Sequence, residues 1–185
     1  MSIDTATTSA TGTYAIDPTH SEVGFVARHA MVTKVRGAFR DFEGTGYFDQ
    51  ETPSNSKVEL TIQADSVDTG NADRDGHLRS NDFFDMDNHP QIRFVSTAVE
   101  AAGEDSYRVT GDLTLKGTTK PVTIDFDFMG TATDPFGMDR LGLEGSVVVN
   151  RKDWGLNFNA ALDTGGVLVG EKVTLNFDVS AIKAD

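Results

Sequence analysis

Residues 107–128 read YRVTGDLTLKGTTKPVTIDFDF, and this stretch decides the fold class. Apolar side chains take almost every second position from Tyr107 to Leu115, and again from Val122 to Phe128. An apolar residue at every second position indicates a β-strand with one buried face. The intervening residues 116–121, KGTTKP, have the composition of a turn, so the stretch is predicted to form a long antiparallel hairpin.

The same alternation recurs before and after this hairpin, at 23–27, 58–62, 92–96, 141–149 and 173–179. About eight or nine strands separated by turn sequences predict an antiparallel all-β fold. A sandwich and a barrel both fit that number. The long strands and the paired strand glycines Gly44 and Gly46 favour a barrel. With eight strands, the interior of a barrel either holds one ligand or is filled by side chains.

Residues 74–85, RDGHLRSNDFFD, do not alternate. Asp75 and Arg79 are four apart, the spacing of neighbours on a helical turn. We interpret the segment as a short helical cap at one end of the sheet. Gly76 costs a helix about 1 kcal/mol relative to alanine, so burial of Leu78 and Phe83 is expected to hold it in place.

Composition limits the classes of function. The chain has 185 residues, a net charge of −13 and no cysteine. The charge disfavours a nucleic-acid partner, and the lack of cysteine excludes disulfides, thiolate metal sites and cysteine nucleophiles. We predict a flexible tail over 1–12 and a single domain over 13–185.

The N-terminus has no cationic start followed by an apolar run, which predicts no secretory signal and a cytoplasmic protein. No stretch approaches the roughly 20 apolar residues that a membrane-spanning helix needs, so no integral membrane segment is expected. The four histidines lack metal-ligand spacing, and no phosphate-binding loop is present. No metal and no cofactor are therefore predicted.

The face of the sheet that is predicted to point inward is apolar, aromatic and almost free of acids and bases. Its members are Phe25, Phe39, Phe42, Phe48, Phe94, Leu113, Leu115, Phe126, Phe128, Leu143, Leu156, Phe158 and Phe177. This face indicates either a tunnel for a long apolar ligand or an ordinary packed core, and the alternation alone leaves both open.

The cationic side chains instead fall on loops and strand ends: His20, His29, Lys34, Arg36, Arg74, His77, Arg79, Arg151 and Lys152. If several meet at one mouth of the barrel, they form a basic collar for an anionic head group such as a pyrophosphate. The alternative is a set of surface ion pairs, such as Asp75 with Arg79.

Taken together, the motifs of the chain resemble those of the YceI-like family. They are, in order, 14–21 (YAIDPTHS), 35–39 (VRGAF), 42–44 (FEG), 66–69 (SVDT), 74–80 (RDGHLRS), 82–85 (DFFD), 90–94 (PQIRF), 111–117 (GDLTLKG), 150–155 (NRKDWG) and 169–173 (VGEKV). The resemblance implies an extended, lipocalin-like, eight-stranded antiparallel β-barrel with a short helix near one end. It further implies an apolar pore that binds an isoprenoid lipid, either an isoprenoid quinone or a polyprenyl phosphate. Members of the family are often periplasmic and often dimeric, so a homodimer is also expected.

The resemblance and the strand positions together predict the ligand-binding residues. The expected pore lining is Phe25, Phe39, Phe42, Phe83, Phe84, Phe94, Leu113, Phe126, Phe128 and Phe177. The expected mouth residues are His20, His29, Arg74, His77 and Arg79. The leading hypothesis is a non-catalytic carrier or store for the lipid. One alternative is an enzyme of the cyclase or dehydratase type that uses His77 or His29 as acid or base, and another is a filled barrel whose acidic surface binds partners.

Overall fold

The computed structural model describes residues 9–163 and 165–184, and most of these residues lie in β-strands. The strands are β1 (Gly12–Ile16), β2 (Glu22–His29), β3 (Thr33–Phe39), β4 (Phe42–Phe48), β5 (Lys57–Gln63), β6 (Val67–Asp68), β7 (Gln91–Gly103), β8 (Ser106–Leu115), β9 (Thr118–Thr133), β10 (Asp139–Asn150) and β11 (Val169–Lys183). One α-helix, α1 (Ala72–Arg79), lies between β6 and β7. Short 3-10 turns occur at Pro18–His20, Pro53–Asn55, Ala64–Ser66 and Arg151–Trp154.

Residues 1–8 of the predicted N-terminal tail lie outside the described residues. Residue 10 is buried, and the Ala10 carbonyl accepts a hydrogen bond of 2.7 Å from the Tyr14 hydroxyl. The division of the chain at residue 12 stays a prediction.

Three pairs of these strands are the halves of longer, bent strands. β1 and β2 are separated by the Pro18–His20 turn, β3 and β4 by Arg40 and Asp41, and β5 and β6 by the Ala64–Ser66 turn. Both halves keep the same neighbours, since β1 pairs with β4 and β2 pairs with β3. β4 likewise pairs with β5, and β3 with β6. The eleven strands therefore form eight long antiparallel strands.

The remaining strands pair in sequence order, and the last strand closes the sheet. β5 pairs with β7, and the pairing then continues strand by strand to β11. β11 pairs with β2 through Leu175 and Phe25, and with β1 through Ile182 and Ala15. The result is the eight-stranded antiparallel barrel that was predicted, with a short helix near one end.

The helix is shorter than the irregular segment that contains it. The Asn71 side chain caps α1 by accepting from the Arg74 amide at 3.0 Å. The helix ends at Arg79, because the Ser80 hydroxyl donates to the His77 carbonyl and the chain then turns inward. The suggested ion pair between Asp75 and Arg79 does not form. The Asp75 carboxylate accepts from the Thr69 amide and hydroxyl, while the Arg79 Nε donates to the Asp65 carbonyl at 3.0 Å.

The two ends of the barrel differ. One, called here the α1 end, carries α1, the turn at 30–32 between β2 and β3, and the start of β11. The other, called the β1 end, carries the start of β1, the turn at 134–138 between β9 and β10, and the end of β11.

An ion-pair network fixes the bend between β1 and β2 against the β1 end. The Arg140 guanidinium donates to Asp17 Oδ2 at 2.8 Å and to Asp134 Oδ2 at 2.9 Å. The hydrogen bond from Arg140, helped by the Thr19 hydroxyl, holds the pKa of Asp17 well below its usual range. Asp17 is therefore a buried carboxylate that stays ionised and ties the bent strand to β10.

Candidate ligand-binding site

The barrel is not filled by its side chains. A cavity of about 150 Å³ lies toward the α1 end, walled by inward-facing residues of the strands and by Leu78, Phe83 and Phe84. This volume is roughly ten times what one water molecule needs. Its lining includes Phe25, Phe39, Leu113 and Phe177, together with Leu78 of α1. The inner face therefore surrounds a cavity in this part of the barrel, as the tunnel interpretation expects.

A second cavity, of about 140 Å³, lies toward the β1 end. Its aromatic lining contains a cluster in which the ring centroids of Phe48 and Tyr107 are 5.1 Å apart and those of Phe48 and Phe128 are 5.8 Å apart. Thr45, Ser56 and Lys57 also line this cavity, although its surface is almost entirely apolar.

The two cavities adjoin at the middle of the barrel. Four residues line both of them, and we call these four the waist: Leu60, Phe94, Ile124 and Phe177. All four are apolar, and Leu60, Phe94 and Ile124 are buried. Two apolar cavities thus lie end to end along the barrel with the waist between them, and an extended hydrocarbon chain would have to pass the waist to occupy both.

Glycines on neighbouring strands leave room for the aromatic rings along the walls. A Cβ atom added at Gly37 would lie 2.3 Å from the Phe25 ring, and one added at Gly145 would lie 2.7 Å from the Phe126 ring. Gly37 is directly paired with Phe25 and Gly145 with Phe126. Because the glycines have no side chain, each ring can lie against the neighbouring strand.

Replacing Gly37 by alanine is therefore expected to push the Phe25 ring away from the wall. We expect a loss of about 1–3 kcal/mol in the free energy of unfolding, the usual cost of overpacking. The Phe25→Leu substitution in the same chain should recover part of that loss, because the smaller side chain makes room for the new methyl group. Urea unfolding of the two single variants and the double variant measures the coupling, and strictly additive losses would contradict this packing.

At the α1 end, aromatic side chains close over the cavity. The His77 ring packs edge-on against Phe83 and Phe158, with centroids 5.1 and 4.7 Å away. Its Nε2 atom is 2.9 Å from Asp82 Oδ2, and both of these side chains are more than 40% exposed. His77 and Asp82 are thus a pair at the rim of the barrel, outside the cavity lining.

A buried arginine holds this end of the barrel together. Arg151 is 5% exposed and donates three hydrogen bonds: from Nε to the Gly170 carbonyl at 2.9 Å, from Nη2 to the Val169 carbonyl at 3.2 Å, and from Nη1 to the Leu156 carbonyl. Burial lowers the pKa of Arg151 from its usual value. The side chain ties the segment after β10 to the start of β11, and both segments contribute to the cavity wall through Leu156 and Val169.

The structure places most of the predicted pore residues around the cavities. The α1-end cavity is lined by Phe25, Phe39, Phe83, Phe84, Phe94, Leu113 and Phe177. The β1-end cavity is lined by Phe94, Phe126, Phe128 and Phe177. Phe42 is buried in the hydrophobic core but lines neither cavity. Contact of these residues with a ligand stays a prediction.

The predicted mouth residues are not all at one end. His29, Arg74, His77 and Arg79 lie at the α1 end. His20 lies at the bend between β1 and β2, and its Nδ1 atom is 2.8 Å from Asp17 Oδ2. At this level of the barrel, the neighbouring residue of β11 is Ser180. Arg74 donates to the Thr69 hydroxyl and carbonyl, so its guanidinium is partly occupied within the protein.

Several lining residues were not among the predicted site residues. Leu60 and Ile124 of the waist are aliphatic, and so are Leu141 and Val109 of the β1-end cavity. All four lie at inward-facing positions of strands in which apolar and polar residues alternate, so the alternation could have identified them. The prediction selected mainly the aromatic residues of that face. Trp154, whose Nε1 donates to the Leu113 carbonyl at 2.9 Å, also lines the α1-end cavity.

The cavity linings carry few charged groups. The charged side chains in the two linings are Lys57 and Arg151. Within residues 9–163 and 165–184, no three His, Cys, Asp or Glu side chains are placed to hold a metal ion. In the same part of the chain, no helix is long and apolar enough to cross a membrane.

A family model described as the YceI-like domain matches residues 14–181 of the chain. The chain belongs to the YceI-like family. This YceI-like protein is 44% identical over 143 residues to a UPF0312 protein of Photorhabdus laumondii, and the match covers 77% of this chain and 73% of that relative.

Solved structures of YceI-like barrels agree with the fold. The crystal structure of Burkholderia cenocepacia BcnA matches with a TM-score of 0.79 at 27% identity, over 89% of this chain and 98% of that one. A polyisoprenoid binding domain from Saccharophagus degradans matches with a TM-score of 0.69, over 92% of this chain and 98% of that domain. Its sequence identity is 15%, so this second likeness shows a shared fold.

Proposed function

We propose that this YceI-like protein binds a long-chain isoprenoid lipid inside its barrel, for storage or transport, without changing it chemically. The observation that carries the proposal is the pair of apolar cavities that adjoin at the waist. A ligand that is long, flexible and apolar along most of its length matches such a path. The proposed ligand classes are isoprenoid quinones and polyprenyl phosphates.

Burial of a hydrocarbon tail is a sufficient source of affinity. Each buried CH₂ group contributes about 0.8 kcal/mol, so roughly ten of them supply the free energy of micromolar binding. A polar head group then needs only modest contacts at a mouth. The solved Saccharophagus degradans domain with this fold is described as polyisoprenoid binding, which supports the ligand class.

Binding without turnover is supported by the chemistry of the lining. Acid–base catalysis on a bound ligand needs a titratable group within hydrogen-bonding reach of the reacting atom. Among the described residues, the two linings contain no carboxylate and no histidine; their titratable groups are Tyr14, Tyr47, Lys57, Tyr107 and Arg151. Burial raises the pKa of Tyr14 and of Tyr107, which makes both weaker acids. His77 and His29, which the enzyme hypothesis would use, lie at the exposed α1 end instead.

We place the head group at the α1 end, where His29, Arg74, His77 and Arg79 supply cationic or hydrogen-bonding groups. Arg74 and Arg79 would exchange their present partners, Thr69 and the Asp65 carbonyl, for oxygens of the ligand. His20 is part of the original set of mouth residues, but its place at the strand bend is far from this end. The homodimer and the cytoplasmic location remain predictions alongside this proposal.

The single tryptophan provides a direct test. Trp154 is 3% exposed and lines the α1-end cavity, so a quinone in the barrel lies close enough to quench its fluorescence. We expect saturable quenching by a long-chain isoprenoid quinone at micromolar concentration, and recovery of the fluorescence when a polyprenyl phosphate is added as competitor. Quenching that rises linearly without saturation, as for free tryptophan in solution, would count against the proposal.

A further inference from the structure

The turn between β2 and β3 is an exposed apolar tip on an otherwise acidic protein. Met31 and Val32 are 59% and 74% exposed. Ala30 and Met31 have positive φ angles of 50° and 66°, and the Ala30 amide donates to the Leu168 carbonyl at 2.7 Å. The tip is thus held in a defined shape while its two largest apolar side chains face solvent.

Cations surround this tip on the outer face of the hairpin. Arg28 is directly opposite Lys34 in the pairing of β2 with β3, and Arg36 is two residues further along the same face. All three side chains are exposed. Within the part of the chain that the structure describes, no carboxylate lies within 4.0 Å of any of them. Three cations are therefore grouped on a chain whose net charge is −13.

The acids on the neighbouring segments do not cancel this group. Glu171, on the adjoining strand, pairs with Lys152 at 2.8 Å. Asp163 is exposed on the connection that precedes β11, and this one carboxylate leaves the three cations in excess. At the opposite end of the barrel, Phe136 is even more exposed, at 90%, but its turn carries Asp134 and is followed by Asp139. The tip at 30–32 thus has three exposed cations beside it, whereas the turn at 134–138 has the ion pair of Arg140 with Asp134 and, next to it, Asp139.

We infer that the β2–β3 tip docks the protein onto an anionic lipid surface. Met31 and Val32 would enter the interface between head groups and acyl chains, and Arg28, Lys34 and Arg36 would lie against the anionic head groups. A protein surface that combines apolar side chains with several cations binds anionic membranes through both effects.

The position of the tip connects docking with the cavity. Val169, which lines the α1-end cavity, pairs with His29, two residues before Met31. Met31 also packs against Gly166 in the segment that leads to Val169. Docking by this tip would bring the α1 end of the barrel to the membrane. Docking in this orientation would allow the bound lipid to exchange with the bilayer. That role in lipid exchange rests on the proposed function, whereas the docking itself does not.

Vesicle sedimentation tests the inference. Wild-type protein should sediment with vesicles of phosphatidylcholine and phosphatidylglycerol at low salt, and much less with vesicles of phosphatidylcholine alone. Each cation near an anionic surface contributes roughly fivefold to binding, so the combined Arg28→Gln, Lys34→Gln and Arg36→Gln variant should bind at least tenfold more weakly. The Met31→Ser, Val32→Ser variant should also bind more weakly, while Phe136→Ser is the matched control and should bind like the wild type.

The outcomes separate docking from ligand binding. Failure of the wild type to sediment with anionic vesicles would overturn docking, and so would equal binding of the charge variant or an equal loss in Phe136→Ser. A chain that shows saturable Trp154 quenching by a quinone but ignores vesicles contradicts docking alone. A chain that sediments with vesicles but shows no saturable quenching contradicts the proposed ligand and leaves docking standing.

Discussion

Replacing Arg151 by methionine is expected to lower the free energy of unfolding by about 3 kcal/mol or more. The substitution leaves the carbonyls of Leu156 and Gly170 without their guanidinium donor, while the Val169 carbonyl still accepts from the Asn159 side-chain amide at 2.8 Å. A buried acceptor without a partner costs about 1–3 kcal/mol, and relief of the desolvation of the cation offsets only part of the combined loss. Urea unfolding followed by circular dichroism measures the change.

Lys152 is the matched control for this prediction, since it is the next residue in the chain. Its ammonium group pairs with Glu171 at 2.8 Å, but both side chains are nearly half exposed. An exposed ion pair contributes about 0–1 kcal/mol, so Lys152→Met should have a small effect. Equal losses in the two variants would mean that Arg151 does not clamp the start of β11.

The second large effect is expected at the waist. Ile124 is 3% exposed and lines both cavities, so an Ile124→Trp substitution should block the path between them. A long isoprenoid chain would then lose the part of its tail that crosses the waist. We expect roughly hundredfold weaker binding of a long-chain quinone, which corresponds to the loss of only a few buried CH₂ groups. A short-chain quinone that fits within one cavity should bind as before.

Calorimetric titration suits this test, because the new tryptophan would interfere with the fluorescence of Trp154. Thr123→Trp is the control, since Thr123 precedes Ile124 in β9 and faces solvent. The Ile124→Trp barrel itself should lose about 1–3 kcal/mol in stability through overpacking. If the variant folds and long and short quinones both keep their affinities, the two cavities are not one path for the ligand.

The fold class was predictable from local alternation, but not every bend in the strands was. The hairpin of β8 and β9 follows directly from apolar residues at every second position between Tyr107 and Phe128. The one-residue break in the alternation at 39–42 indicates a bulge, after which Gly44, Gly46 and Phe48 continue the same face, as the bent strand of β3 and β4 does. The Pro18–His20 turn instead separates two short runs, and only the long-range pairing of β1 with β4 and of β2 with β3 shows that β1 and β2 form one strand.

The apolar part of the site was predictable for the same reason. Phe25, Phe94 and Phe177, which were chosen by inward parity, line the cavities, and the same rule extends to Leu60 and Ile124. The alternation along a strand shows which side chains point inward, but it does not show whether the closed barrel leaves an empty space in its interior. That depends on how far apart the opposite walls of the closed barrel lie, and on the directions of the side chains.

The polar part of the site was less predictable, because its partners are backbone carbonyls distant in sequence. Arg151 is bonded to the carbonyls of Val169 and Gly170, and Arg79 to the carbonyl of Asp65. No residue type in the sequence marks these acceptors. Some of the cationic residues that were predicted to form a basic collar instead donate hydrogen bonds to backbone carbonyls and stabilise the fold.

Native mass spectrometry of the purified protein tests the central claim most directly, before and after incubation with a long-chain isoprenoid quinone and with a polyprenyl phosphate. Organic extraction of the same sample identifies any lipid that is bound. The account predicts an added mass that corresponds to one lipid for each chain and that is recovered in the extract as an isoprenoid. A protein that keeps only its apo mass after incubation with both lipids would contradict it.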